Sequence, residues 1–66
     1  MAKFHIYKDA KNEYRWRFRA NNGRIVADSA EGYSSKQGCE DGIKIVQTQA
    51  PTATTEDETA VAAKRY

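Results

Sequence analysis

Residues 14–19, Tyr-Arg-Trp-Arg-Phe-Arg, place an aromatic ring and a guanidinium at alternate positions three times in succession. A period of two belongs to a β-strand, whose successive side chains point to opposite faces. Tyr14, Trp16 and Phe18 therefore share one face and Arg15, Arg17 and Arg19 the other. Aromatic residues also favour strands intrinsically. One side of this strand has to be dry and the other wet, and the neighbouring segments must supply a sheet around it. Asn22-Gly23 follows, a hairpin signal because a two-residue primed turn needs positive φ. Residues 25–29 then return as a third strand, with Ile25 and Ala27 expected inward and Val26 and Asp28 outward. Upstream, residues 3–8 alternate in the same way, with Phe4 and Ile6 on one side and His5 and Tyr7 on the other. The polar residues 9–13 between them read as a turn, since Asp and Asn bond locally to backbone and tolerate left-handed geometry.

After the meander the periodicity changes. Residues 30–35 form a connector in which Tyr33 is expected to pack over the sheet edge. Ser34 and Gln37, three apart, read as a capping box that opens a helix over residues 35–50. Cys39, Ile43, Val46 and Ala50 fall on one apolar stripe of that helix. Gly38 and Gly42 each cost about 1 kcal/mol against alanine in a helix interior. Gly42 lies beside the stripe and implies close helix–sheet packing, whereas Gly38 lies well off it. Pro51 ends the helix. Ile45 points away from the stripe, either as an ordinary exposed residue or as part of a subunit contact. Residues 52–57 carry the threonines of a short strand but little else apolar. Residues 58–66 show no packing pattern and read as a flexible tail, so the domain is assigned to residues 1–57.

Size bears on assembly. A chain of 66 residues buries only about 60% of its unfolded surface, and such domains usually need a staple. The single cysteine, Cys39, excludes an internal disulfide, and one His with one Cys do not make a closed zinc site. No metal or cofactor is expected, and oligomerisation remains as the stabilising device. The formal net charge is +2, too small to imply nucleic acid by itself. Its distribution is uneven, because residues 1–30 hold seven Lys/Arg against three acids while residues 31–66 hold four against six. No apolar run approaches the roughly 20 residues of a membrane span. With no export signal and a lone cysteine, a cytoplasmic location is expected.

The stretch from Phe4 to Pro51, with "YRWRFRANNG" and "EGYSSKQG" at their mutual distance, closely resembles the YegP-like family of short uncharacterised proteins. That resemblance implies an α+β fold built as a β-β-β-α-β unit. It further implies a homodimer, because family members carry two units in tandem or pair two single-unit chains, forming one sheet and exchanging C-terminal strands. By analogy, residues near 52–57 add to the partner's sheet. The family brings no activity, substrate or catalytic residue to carry over.

Arg15, Arg17 and Arg19, spaced two residues apart, can track an anionic backbone, with His5 and Tyr7 on the adjacent strand offering stacking faces. The plainer alternative is a set of long polar side chains that shields the outer face and pairs with acids such as Asp28. Tyr14, Trp16 and Phe18 are needed as core, since the helix stripe has nothing else to pack on. Cys39 lies on that stripe and reads as an inert packed thiol. His5 has no carboxylate or nucleophile placed to work with it, so catalysis is not expected. The Glu31–Lys36 segment could cradle a phosphate at a helix N-terminus, but it lacks a P-loop pattern and reads more simply as connector and cap. The expectation is a small dimeric, non-enzymatic binding module whose open face meets an anionic partner, nucleic acid included. The competing expectation is a structural or stress-related homodimer with no ligand on that face.

Overall fold

The computed structural model describes residues 1–59. Strands β1 (Lys3–Lys8), β2 (Tyr14–Arg19) and β3 (Ile25–Asp28) form an antiparallel sheet in the order β1-β2-β3. Helix α1 (Lys36–Gln49) packs on one face, followed by a single 3₁₀ turn at Ala50–Thr52. The α+β architecture and the antiparallel meander are those expected from the alternation.

Both hairpins use one device. In the first, the Asp9 N–H donates to the Glu13 carbonyl and the Asn12 N–H to the Asp9 carbonyl, with Asn12 at φ 66°. In the second, the Ala20 N–H donates to the Arg24 carbonyl and the Gly23 N–H to the Ala20 carbonyl, with Gly23 at φ 87°. Each is a three-residue loop whose last residue is left-handed, a geometry that glycine and asparagine accept at low cost. The second hairpin therefore differs from the two-residue turn expected from Asn22-Gly23. The consequence is a bulge. Phe18 pairs with Ala27, but the next pair is Arg19 with Ile25, which leaves Val26 as the extra residue of β3. Ile25, expected inward, is instead opposite Arg19 and 48% exposed. Ala27 keeps the inner register beside Phe18.

The core forms where α1 crosses β2. Trp16, Cys39 and Ile43 are buried, and Phe4, Tyr14, Phe18, Tyr33 and Val46 pack around them. The Phe4 ring meets Trp16 edge-on with centroids 5.4 Å apart and lies 4.9 Å from Phe18. Ser29, just beyond β3, is buried; its N–H donates to the Trp16 carbonyl at 2.8 Å, and its Oγ accepts the Trp16 N–H at 3.2 Å. The hydroxyl thus replaces a ladder carbonyl as the chain leaves the sheet. Tyr33 then returns to bridge Tyr14 through paired backbone hydrogen bonds of 2.8 and 2.9 Å.

The helix begins one residue later than the capping-box pattern implies. Ser35, not Ser34, is the cap, and its Oγ accepts the Gly38 N–H at 3.0 Å. Gln37 does not close a box; its side chain donates to Asp41 at 2.9 Å, one turn along the helix. Gly38 and Gly42 lie one turn apart beneath the Tyr33 ring. A Cβ at Gly42 would collide with the Tyr33 phenol and come within 3.5 Å of Trp16 Nε1, and one at Gly38 would sit 3.5 Å from Tyr33 Cδ2. Gly42 thus serves close packing as expected, and Gly38, which the apolar stripe leaves aside, belongs to the same track. The Trp16 indole N–H is buried with no hydrogen-bond partner among the described residues.

The helix does not cover the whole inner face. Near its C-terminal end, Phe4, Trp16, Phe18, Ala27, Val46 and Pro51 line an open apolar groove of about 450 Å³. Of residues 52–57, expected as a fourth strand, Thr52 ends the 3₁₀ turn and residues 53–57 have no regular secondary structure. Of the expected tail, residues 60–66 lie outside the described residues.

Candidate functional site

Phe4, Trp16 and Phe18 pack towards α1, so strand alternation puts the odd-numbered residues of β1 and β2 on the other face. Register makes this face a set of cross-strand rows. Lys3 pairs with Arg19, His5 with Arg17 and Tyr7 with Arg15. On the β3 side, Asp28 stands opposite Arg17 and Ile25 opposite Arg19. The five residues singled out from the sequence, Arg15, Arg17, Arg19, His5 and Tyr7, therefore do share one side of the sheet, and no helix of the described residues packs over them.

The three arginines are not equivalent. The Arg15 Nε donates to Asp9 Oδ2 at 2.6 Å in a part-buried ion pair, and its Nη1 makes a longer 3.5 Å contact with the Ser29 carbonyl. Asp9 is held below the usual carboxylate range chiefly by the Glu13 backbone N–H that it accepts, then by Arg15, whose own ionisation is pushed upward by the same carboxylate. The acid that Arg15 uses is thus Asp9 in the first turn, not Asp28. Arg17 lays its guanidinium over the Tyr7 ring, 4.1 Å from the centroid, a cation–π stack. Arg19 donates Nη1 to the Gly23 carbonyl at 2.6 Å and so braces the second hairpin.

Sequence reasoning missed Lys3 as a member of this face. The signal was available, because the β1 alternation that places His5 and Tyr7 outward extends back to residue 3. It also treated Tyr7 as an open stacking surface, whereas Arg17 lies on it. Other candidate chemistries find no support in the geometry. Cys39 is fully buried, and burial pushes its thiol upward, away from the reactive thiolate. The Ser35 hydroxyl is engaged as the helix cap. Among the described residues no three His, Cys, Asp or Glu side chains gather as a metal group, and no helix is long and apolar enough to cross a membrane.

Residues 9–57 match the profile of a family described as a domain of unknown function, DUF1508. The chain belongs to the DUF1508 family. A UPF0339 protein of Methanosarcina acetivorans is 49% identical over 53 residues, which cover 80% of this chain and 90% of that protein. Another, from Stutzerimonas stutzeri, is 46% identical over 48 residues that cover 73% of this chain but only 42% of that protein. The solution NMR structure of a Haloferax volcanii protein superimposes with a TM-score of 0.78 at 46% identity, covering 85% of this chain and 93% of that one. These DUF1508 relatives confirm the resemblance read from the YRWR and EGYSSK motifs, and they name no activity.

Proposed function

We propose that this DUF1508 chain is a small, non-enzymatic binding module that acts as a homodimer and meets an anionic partner through the arginine-lined face of its sheet. The observation that carries this reading is the placement of Arg15, Arg17 and Arg19 with Lys3 and His5 on the side of the sheet away from α1. Ordinary exposed strand faces mix charges and short polar groups; this one carries Lys3 on β1 and three arginines on β2, with Asp28 of β3 as the acid opposite Arg17. In a sheet continued by a second copy the patch would be doubled.

Three features support the homodimer. Only Trp16, Cys39 and Ile43 are buried apolar residues among those described, a thin core for an isolated domain. The groove beside Phe18 and Val46 is apolar and open. Residues 53–57 leave the 3₁₀ turn without a strand partner among the described residues, as a segment exchanged into a second copy would. The Stutzerimonas relative, of which the match spans 42%, has the length for two such units in one chain.

A second reading has its own observation. Each arginine already has an intramolecular neighbour: Asp9, the Tyr7 ring or the Gly23 carbonyl. On that view the row braces the sheet, and the protein is a structural homodimer with no ligand there. Titration of a labelled single-stranded oligonucleotide with the wild-type protein and with Arg17→Ala/Arg19→Ala separates the two. Salt-sensitive binding that the double variant loses, with folding intact, supports the binding module. Absence of binding at low salt favours the structural reading.

A further inference from the structure

We infer that the ligand-contacting part of this face is one corner, formed by Lys3, Arg17 and Arg19, and that it takes successive phosphates of a single-stranded nucleic acid without reading its bases. The inference rests on the anionic-partner reading above and narrows it.

Charge compensation divides the arginine row. Arg15 is held at 2.6 Å by Asp9, so its charge is largely cancelled and its Nε donor is occupied. Arg17 and Arg19 are held by neutral groups, an aromatic ring and a carbonyl. Those contacts fix orientation without cancelling charge. A guanidinium has five N–H donors, and one bond to a carbonyl leaves four. Stacking on Tyr7 uses the flat of the Arg17 group and leaves its edge, the part that grips phosphate oxygens. Two oriented, charged guanidiniums therefore lie two residues apart on β2, a separation of about 6.6–6.8 Å along a strand, comparable with successive phosphates on an extended strand.

Lys3 completes the corner. It is exposed and directly opposite Arg19, and like charges placed opposite each other on a sheet repel. An oxyanion lying between them relieves that repulsion. The same register sets Arg17 between His5 and the acid Asp28, which makes no ion pair with it among the described residues, so the strongest positive field is at the Lys3–Arg19 row.

The covered Tyr7 ring determines what is recognised. Single-strand binders usually add base stacking on exposed aromatics to a basic groove. Here the aromatic of the open face carries Arg17 at 4.1 Å, while Phe4, Trp16 and Phe18 belong to the core. Apart from the exposed His5 imidazole, contact with the sugar–phosphate backbone is what remains.

The test is fluorescence anisotropy of the full chain with labelled oligothymidylate and oligoadenylate of about ten nucleotides, within the usual span of single-strand sites. Three phosphate contacts at about −0.7 each give an expected log–log salt slope near −2 per protomer. Arg17→Gln and Arg19→Gln should each flatten that slope by about 0.7, Arg17→Lys should keep it, and Arg15→Gln should leave it unchanged. The two homopolymers should bind within about twofold, since only the His5 imidazole is open for stacking. Flattening by Arg15→Gln equal to that by Arg17→Gln overturns the corner and leaves the wider face intact. A tenfold or greater homopolymer preference overturns backbone-only recognition. No binding of either probe at low salt overturns this inference together with the reading beneath it.

Discussion

Asp9 closes the first turn with both carboxylate oxygens. Oδ1 accepts the Lys11 and Glu13 N–H groups at 2.9 and 3.0 Å, and Oδ2 takes Arg15 at 2.6 Å. These bonds favour the charged form and hold Asp9 below its ordinary value of 3.8. A carboxylate depressed in the folded state contributes stability that is present above its unfolded value and is lost as pH falls through its folded value. The urea midpoint of Asp9→Asn should therefore lie below wild type at neutral pH and converge with it in acid; parallel curves throughout would deny the linkage. The left-handed loop ends carry a second expectation. No heavy atom comes within 4 Å of a Cβ built at Gly23, so Gly23→Ala tests its φ of 87° alone. It should cost about 1–2 kcal/mol in chemical denaturation, and Gly23→Asn less, because Asn12 holds the equivalent place at φ 66°. Ser29→Ala should lose about 1–3 kcal/mol by stranding the buried Trp16 amide. That role was invisible in the sequence, because it depends on where β3 leaves the ladder. The membership of Arg15, Arg17, Arg19, His5 and Tyr7 in one face was legible, since a period of two dictates it. Which arginine is neutralised was not, because Asp9 reaches Arg15 only once the hairpin has closed.

Helix α1 lies on the sheet through a glycine track as well as an apolar stripe. Gly38 and Gly42 bring the helix under the Tyr33 ring, while Tyr33 is tied to β2 by its backbone bridge to Tyr14. The connector thus sets the height of the helix over Trp16. Alanine at an exposed helix position would gain about 1 kcal/mol over glycine. Gly42→Ala should instead destabilise, because the added methyl meets the Tyr33 phenol. A double-mutant cycle with Tyr33→Phe, read by urea unfolding, should show positive coupling from removal of the hydroxyl; additive losses would place the cause elsewhere. The limits of sequence reading at this scale follow from the same residues. Helix and strands were legible because Cys39, Ile43 and Val46 repeat with one period and Tyr14, Trp16 and Phe18 with another. The pairing of Gly38 with Tyr33 was not, since it joins two segments with no shared periodicity. The bulge at Val26 was also hidden, because a three-residue loop and a two-residue turn both accommodate Asn22-Gly23, and the choice between them decides which way Ile25 faces.

Taken whole, the chain is a two-layer unit with one layer incomplete. Its helix shields Trp16 yet leaves the apolar groove between Phe18, Ala27 and Pro51 open, and Ile6, Ile25 and Val26 are 37%, 48% and 65% exposed. Residues 53–57, which follow the 3₁₀ turn, find no strand partner among the described residues. A second copy that exchanges this segment would supply both the missing strand and the missing cover, and would place two Lys3–Arg17–Arg19 corners on one assembly. Sedimentation equilibrium of the full chain beside a chain ending at Ala50 tests this most directly. The account expects a dimer for the full chain and a monomer, or a chain too unstable to fold, for the shortened one. A full chain that stays monomeric at high protein concentration, or a shortened chain that remains a stable dimer, would contradict it.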